Sequence, residues 1–324
     1  MALLGIDLGG TKLAIAVFTD DGNLLHKEII FLHSRKGPEI GKLIARQISG
    51  RLRADHREHP AIQSIGISVP GIFRSETGTV WAPNIDGWDD YPLLEEIKKL
   101  SAQIPVTISC DRTCYILGER WKGNAMGCQD AIFLAVGTGI GAGILINGIP
   151  LRGAHDIAGA IGWMALTETY REEYIECGCF EHYASGEGIA KLALETMKSD
   201  AGYSGELSRK EPASLTSADI FKALENDDTM AKQVIRLCIG FWGMAIANLI
   251  SLFNPEKIIL GGGVFGPALK FLPDIEKEVK RWAQPVSVLQ CRIEGSVLGG
   301  DAGLYGAGYL ALHNQTPLYN PQTH

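Results

Sequence analysis

The 324-residue chain carries 30 basic and 37 acidic residues, a net charge of −7. That balance argues against a general affinity for nucleic acid or for an anionic membrane. Hydrophobic content of 46% and charged content of 21% are those of an ordinary globular protein, and the length exceeds one typical core, so two domains are expected.

The N-terminus, MALLGIDLGG, has no basic leader and runs straight into a strand, so no signal peptide is expected. LLGIDLG (3–9) and KLAIAVFT (12–19) read as strands around a Gly-Gly bend, and Asp20-Asp21-Gly22 as a hairpin turn. A helical period from about Glu39 to Ala54 places Ile40, Leu43, Ile44, Ile48 and Leu52 on one face. AIQSIGISV (61–69) is a strand ended by Pro70-Gly71, TVWAPNIDGW (79–88) is loop-rich, and a helix near 92–102 leads to the strand PVTISC (105–110). AIFLAV (131–136), GTGIGAG (137–143) and AGILING (142–148) then repeat the opening order of strand, glycine bend with threonine, strand and turn. Two copies without a short period suggest two related halves. Residues 200–213 read as a flexible surface loop, and Thr216-Ser217-Ala218-Asp219 as a capping box with Leu215 and Ile220 as its staple. A helix runs from about Thr229 to Phe253 and stops at Asn254-Pro255. Its apolar centre, Leu237 to Ala247, is too short to span a bilayer and reads as core. KIIL (257–260) is a short strand, and the tail from Asn314 has the composition of a frayed end.

Seven cysteines, at 110, 114, 128, 177, 179, 238 and 291, are odd in number and lack framework spacing, which favours reduced thiols in a cytoplasm. Three glycine clusters follow apolar strands: Gly9-Gly10-Thr11-Lys12, Gly137-Thr138-Gly139 and Gly261-Gly262-Gly263. A missing Cβ lets amides approach a ligand, and successive N–H groups make an anion site. One such loop is usually just a turn; three, two with threonine and one with lysine, point to a polyphosphate. There is no P-loop spacing and no GxGxxG opening a helix, so neither a P-loop NTPase nor a Rossmann dehydrogenase fits. Asp7, ending the first strand, reads either as a Mg²⁺ holder, directly or through water, or as a capping residue in a turn.

DLGGTK (7–12), SVPG (68–71), APNIDGW (82–88), GTGIGAG (137–143), GAHDIAG (153–159), GCFEHYASG (178–186), NPEKIILGGGV (254–264) and LGGDAGLYGAG (298–308) together resemble the ROK family of repressors, open reading frames and kinases. The resemblance spans about residues 3–312. It implies an α/β, duplicated, two-domain actin-like ATPase (ribonuclease H-like) fold, with ATP and sugar in the interdomain cleft. The implied small domain is 1–112, completed by a C-terminal helix at about 299–314, and the large one is 113–298. By the same resemblance, Asp7, Gly9, Gly10, Thr11 and Lys12 face the β- and γ-phosphates and Mg²⁺, Asp7 holding the metal through water. Gly137, Thr138 and Gly139 supply the second phosphate loop, and Gly261, Gly262 and Gly263 lie under the α-phosphate and adenosine. Asp111 takes the proton from the sugar hydroxyl, which an alcohol needs before it can attack; spacing alone equally allows it to cap the helix DRTCYILGER. Gly71, Asn84, Asp111 and Glu181 form the remaining sugar contacts.

The pattern also breaks. Where the family has a Glu and a His for sugar hydroxyls this chain has Ala160 and Trp163, and Cys110 replaces the asparagine before the catalytic aspartate. Trp163 either stacks on a sugar ring or its substituent, or fills core volume beside Gly162. Glu172 and Tyr174 stand where two of the family's zinc cysteines would be, leaving only Cys179 aligned. One ligand of four does not make a structural zinc site. A rearranged set from Cys177, Cys179, His155 or His182 is the alternative, and without metal the loop carrying Glu181 is expected to be held by packing alone.

The expected function is an ATP-dependent, glucokinase-like sugar kinase acting on a hexose or hexose derivative. The alternatives are a weak or inactive sugar and nucleotide sensor, and a kinase for a modified sugar or polyol. A polymerising actin-like ATPase fits less well, because Asp111, Asn84 and Glu181 suit an acceptor site. The first strand begins at residue 3, leaving no room ahead of it for the helix-turn-helix of the family's repressors, so the expected partners are sugar and ATP, without nucleic acid or membrane. Dimers are common in the family, which leaves the homodimer open.

Overall fold

The computed structural model describes residues 1–53, 60–101, 103–200 and 202–313. The expected frayed tail from Asn314 lies outside them, as do Ala54, Ala102 and Ala201. The chain divides into two compact units, Met1–Gln129 with Gly143–Gly159 and Ser296–His324, and Asp130–Ala142 with Ala160–Gly295.

The first unit is built on a five-stranded sheet of β1 (Ala2–Leu8), β2 (Lys12–Thr19), β3 (Leu24–Phe31), β4 (Ile62–Val69) and β7 (Val106–Cys110), with β5 (Ile72–Arg74) and β6 (Thr79–Trp81) as a separate hairpin. Its order is β3-β2-β1-β4-β7, antiparallel through β3, β2 and β1 and parallel from β1 through β4 to β7. Period-2 alternation assigns the two faces. Ala2, Leu4, Ile6 and Leu8 join the core that also buries Ile40, Leu43, Ile44 and Ile48 of helix Pro38–Arg53. The opposite face carries Leu3, Gly5 and Asp7, in register with Ser64, Gly66 and Ser68 of β4. Helix Ala302–Leu312 lies on this second face almost backbone to backbone: a β carbon at Gly66 would lie 1.9 Å from the carbonyl oxygen of Ala307, and Ser64 donates to the carbonyl of Ala311 at 2.7 Å. The small residues of AGLYGAGYLAL permit that approach.

A second five-stranded sheet runs β10 (Ile149–Pro150), β9 (Ile140–Ile146), β8 (Ala131–Val136), β11 (Lys257–Gly261), β12 (Arg292–Gly295), with β8, β11 and β12 parallel. The division between the units falls within β9. Its strand order repeats that of the first sheet, element for element, which is the duplication that the two glycine bends announced. In the second unit helix Thr229–Phe253 is capped by Asp228, whose carboxylate accepts from the N–H of Ala231, and ended by Asn254 in the left-handed region at φ 45°. It is the one helix among the described residues long and apolar enough to cross a membrane. Its Cys238, Trp242, Ala245 and Leu249 are nevertheless core, and the Trp242 indole donates to the carbonyl of Ala184.

Two expectations change. The stretch 200–213 is less loose than its composition suggested: it holds two 3₁₀ turns, Glu206–Arg209 and Pro212–Ser214, with Leu207 buried and the Tyr203 hydroxyl donating to Asp228. Apolar anchors spaced among polar residues escaped notice there. The strand expected at 142–148 begins earlier, at Ile140, because the glycines of IGAGILI lie within the sheet.

Candidate active site

In the first unit β1 delivers Asp7 to the face covered by helix Ala302–Leu312. Burial lifts its carboxyl to about 6; Ser68 and Lys12 oppose the rise, while Asp111 and Asp301 add to it. The Ser68 hydroxyl is itself buried without a hydrogen-bond partner of ordinary geometry. Gly9 donates to the carbonyl of Lys12 at 2.9 Å, closing the first glycine bend, and Gly10, Thr11 and Lys12 are exposed.

Asp111 opens helix Asp111–Lys122, but the capping position belongs to Cys110. One carboxylate oxygen accepts from the N–H of Arg112 at 2.8 Å, and the other receives a long 3.4 Å contact from the Tyr115 hydroxyl. Burial again raises the carboxyl, opposed chiefly by Arg112. Arg112 also reaches the carbonyl of Gly71 at 3.3 Å. Gly71 has φ +80°, and a β carbon there would lie 2.1 Å from the carbonyl oxygen of Trp81, so this turn admits only glycine. The Cys110 sulfur sits 3.3 Å from the Thr113 hydroxyl. Asn84 is exposed on a loop clamped by Trp88, which stacks on Tyr91 and donates to the carbonyl of Gly37.

In the second unit the two remaining glycine loops meet at one cavity of about 430 Å³, lined by Gly137, Thr138, Gly186, Thr216 and Gly263 among others. Gly137 donates to the carbonyl of Gly139, and Gly186 to that of Gly137. Gly261 packs on the Phe133 ring, and Gly262 takes φ +88° against Val136. Gly186, Glu187, Thr216 and Ser217 were missed as lining residues. The signal existed: Ser185 and Thr216 are N-caps, and helix starts collect free N–H groups.

Glu181 is wedged against two glycines, since a β carbon at Gly139 or Gly162 would lie 2.8 or 2.9 Å from its carboxylate. It accepts the backbone N–H of Ile140 at 2.5 Å, and burial holds its carboxyl above the usual range. The segment that carries it is not held by packing alone. Arg171 donates to both oxygens of Glu195, at 3.0 and 2.9 Å, and to the Tyr183 hydroxyl at 3.1 Å, and Tyr183 meets Tyr174 at 2.7 Å. Tyr174 is thus engaged in this network at a position where the family has a cysteine. Among the described residues no three His, Cys, Asp or Glu side chains group as metal ligands. Trp163 is 56% exposed, so it does not fill core volume beside Gly162.

The ROK family profile matches residues 3–314. The chain belongs to the ROK family. A glucokinase of Halalkalibacterium halodurans is 32% identical over 97% of this chain and 96% of its own. A ROK family glucokinase from Streptomyces griseus, solved in complex with glucose and AMPPNP, superposes with a TM-score of 0.74 at 27% identity, covering 96% of this chain and 99% of that one. A xylose repressor of Caldicellulosiruptor bescii is 28% identical over 94% of this chain and 76% of its own. This ROK chain thus has the family's two-sheet α/β fold and resembles its glucokinases at about 30% identity.

Proposed function

We propose that this ROK protein transfers the γ-phosphoryl group of ATP to a hydroxyl of a hexose or hexose derivative, with Asp111 as the general base. The carrying observation is the pairing of two partly buried carboxyls, Asp7 near the end of β1 and Asp111 following β7 of the same sheet, close enough that Asp111 raises Asp7. Such a pair suits one metal-holding and one proton-accepting role.

Within each unit taken by itself, the residues suit part of a magnesium triphosphate. Gly10, Gly137 and Gly263 each turn the face where a β carbon would stand into open space, leaving main chain for phosphate oxygens to approach. Asp7 offers one oxygen ligand in need of positive charge, and Mg²⁺ is ordinarily bound by one or two carboxylates with phosphates and water. The metal would neutralise phosphate charge. Asp111 would hold the acceptor's proton, while Gly71, Asn84 and Glu181 orient the sugar. The relative solved with glucose and a nucleotide analogue supports the ligand assignment.

Coupled ADP-release assays over a panel of hexoses, amino, N-acetylated and deoxy sugars and polyols should show acceptor-dependent turnover, abolished by Asp111→Asn with ATP affinity retained. Turnover surviving Asp111→Asn would refute the base. The second reading is a sugar and nucleotide sensor, favoured by Ala160, Trp163 and Cys110 at positions where the resemblance expects polar sugar contacts, and by the repressor among the relatives. ATP binding with no acceptor raising the rate would select it.

A further inference from the structure

In the first unit β1, β4 and β7 run parallel, so Leu8, Val69 and Cys110 end on one edge of the sheet. Ligands of parallel α/β sheets collect at that carboxyl edge. Asp7, the Pro70-Gly71 turn and Asp111 stand there. So does Arg112, the second residue of helix Asp111–Lys122, which the proposed transfer leaves without a task.

The main chain of Arg112 is fixed. Its N–H bonds the Asp111 carboxylate at 2.8 Å, and a β carbon at Gly143 would lie 2.0 Å from its carbonyl oxygen. Its partly buried side chain is poorly matched. A guanidinium carries five N–H donors. Here Nη2 reaches the carbonyl of Gly71 at a long 3.3 Å, and Nε is buried without a hydrogen-bond partner. Arg51, Arg74 and Arg152 of the same unit each pair with a carboxylate, whereas Arg112 forms no ion pair among the described residues. The Nε and Nη2 protons point the same way, as one fork that fits both oxygens of a carboxylate. A single neutral carbonyl at long range is weak compensation for a partly buried charge. Next to it, Cys110 stands where the resemblance expects an asparagine for sugar hydroxyls, and its sulfur faces the Thr113 hydroxyl at 3.3 Å. The edge has thus lost a contact for a neutral group and holds a spare one for an anion.

We propose that Arg112 selects a sugar acid as acceptor, its guanidinium pairing with the carboxylate of a uronic or aldonic acid whose hydroxyl lies at Asp111. The proposal rests on the reading of Asp111 as acceptor base. The carboxylate replaces the long Gly71 contact and engages Nε as well. One guanidinium balances one negative charge. A carboxylate brings one, whereas a phosphate monoester brings about two to an edge that already holds Asp7 and Asp111.

The test uses the full chain with glucose, glucuronate, gluconate and glucose 6-phosphate, in ADP-release kinetics and in titration calorimetry with a non-hydrolysable ATP analogue. At least one of the two acids should exceed glucose by about tenfold in kcat/KM and in affinity. Arg112→Gln should lower that acid-to-glucose ratio by about tenfold. Arg112→Lys, which keeps the charge without the fork, should lower it less and serves if the first variant does not fold. Glucose equalling or exceeding both acids would overturn the proposal and leave the kinase reading standing. So would a preference for glucose 6-phosphate over the acids, or an equal loss for every acceptor in both variants, which would place Arg112 on the base or on ATP instead. If an acid binds in an Arg112-dependent way but no acceptor raises ADP release, the kinase reading fails and the carboxylate site stands.

Discussion

Gly303 stands directly against the carboxyl of Asp7: a β carbon at position 303 would lie 2.7 Å from its Oδ2. Helix Ala302–Leu312 therefore sets where that carboxylate points, although it lies nearly three hundred residues away in sequence. Gly303→Ala should push the carboxylate aside. Mg²⁺-dependent turnover should fall by at least about tenfold, a loss near 1.4 kcal/mol, with the magnesium requirement shifted upward. Unchanged magnesium dependence would argue that Asp7 does not hold the metal.

Asp7 should also cost the ligand-free protein stability. Its folded value of about 6 exceeds the unfolded 3.8, so the folded state binds the proton more tightly and stability declines as pH rises between the two. At neutral pH the penalty is up to about 3 kcal/mol by linkage. The melting temperature of the wild type should fall from pH 4 to pH 7, and that of Asp7→Asn should fall less while turnover is lost. Parallel melting curves for the two would remove Asp7 as the source.

Asp111 carries the corresponding rate prediction. A general base works only when ionised, and burial raises this carboxyl above its ordinary 3.8. The acid limb of kcat/KM should therefore lie above the usual carboxylate range, activity falling as pH drops through it. An acid limb at or below that range would mean that another group titrates.

The Arg171–Glu195–Tyr183 network makes a prediction about metal. Incubation with EDTA should leave the melting temperature unchanged, because side-chain bonds rather than thiolates hold the segment before Glu181. Arg171→Met should destabilise by about 1 kcal/mol, discounted for the partial exposure of the pair, and raise the acceptor KM more than it lowers kcat. A chelator-sensitive fold would restore the metal.

Gly66 and Ala307 test the packing of the C-terminal helix. Gly66→Ala places a carbon 1.9 Å from a backbone carbonyl oxygen, so the helix or the strand must shift to admit it. Urea unfolding should show a loss of about 3 kcal/mol; a loss below about 0.5 kcal/mol, the ordinary surface range, would mean that this contact is looser than the structure shows.

Much of this protein was written in short-range pattern. The run LLGIDLG marked a strand with Asp7 near its end, the repeated strand and glycine bend announced two like sheets, and the Thr216–Asp219 box marked a helix start that the structure confirms. These are properties of residues two to four positions apart, decided by pleat, turn and cap geometry that the chain carries locally. Other features had no local signature. Nothing near Glu181 says that its carboxylate takes the N–H of Ile140, forty-one residues upstream, or that Arg171 finds Glu195 across twenty-four. Trp163, a large aromatic among small residues, read equally well as core, and only its 56% exposure separates the two. Partner choice and desolvation are set when distant elements pack, because a carboxyl's energy depends on every charge and dipole brought near it and on how much water is left.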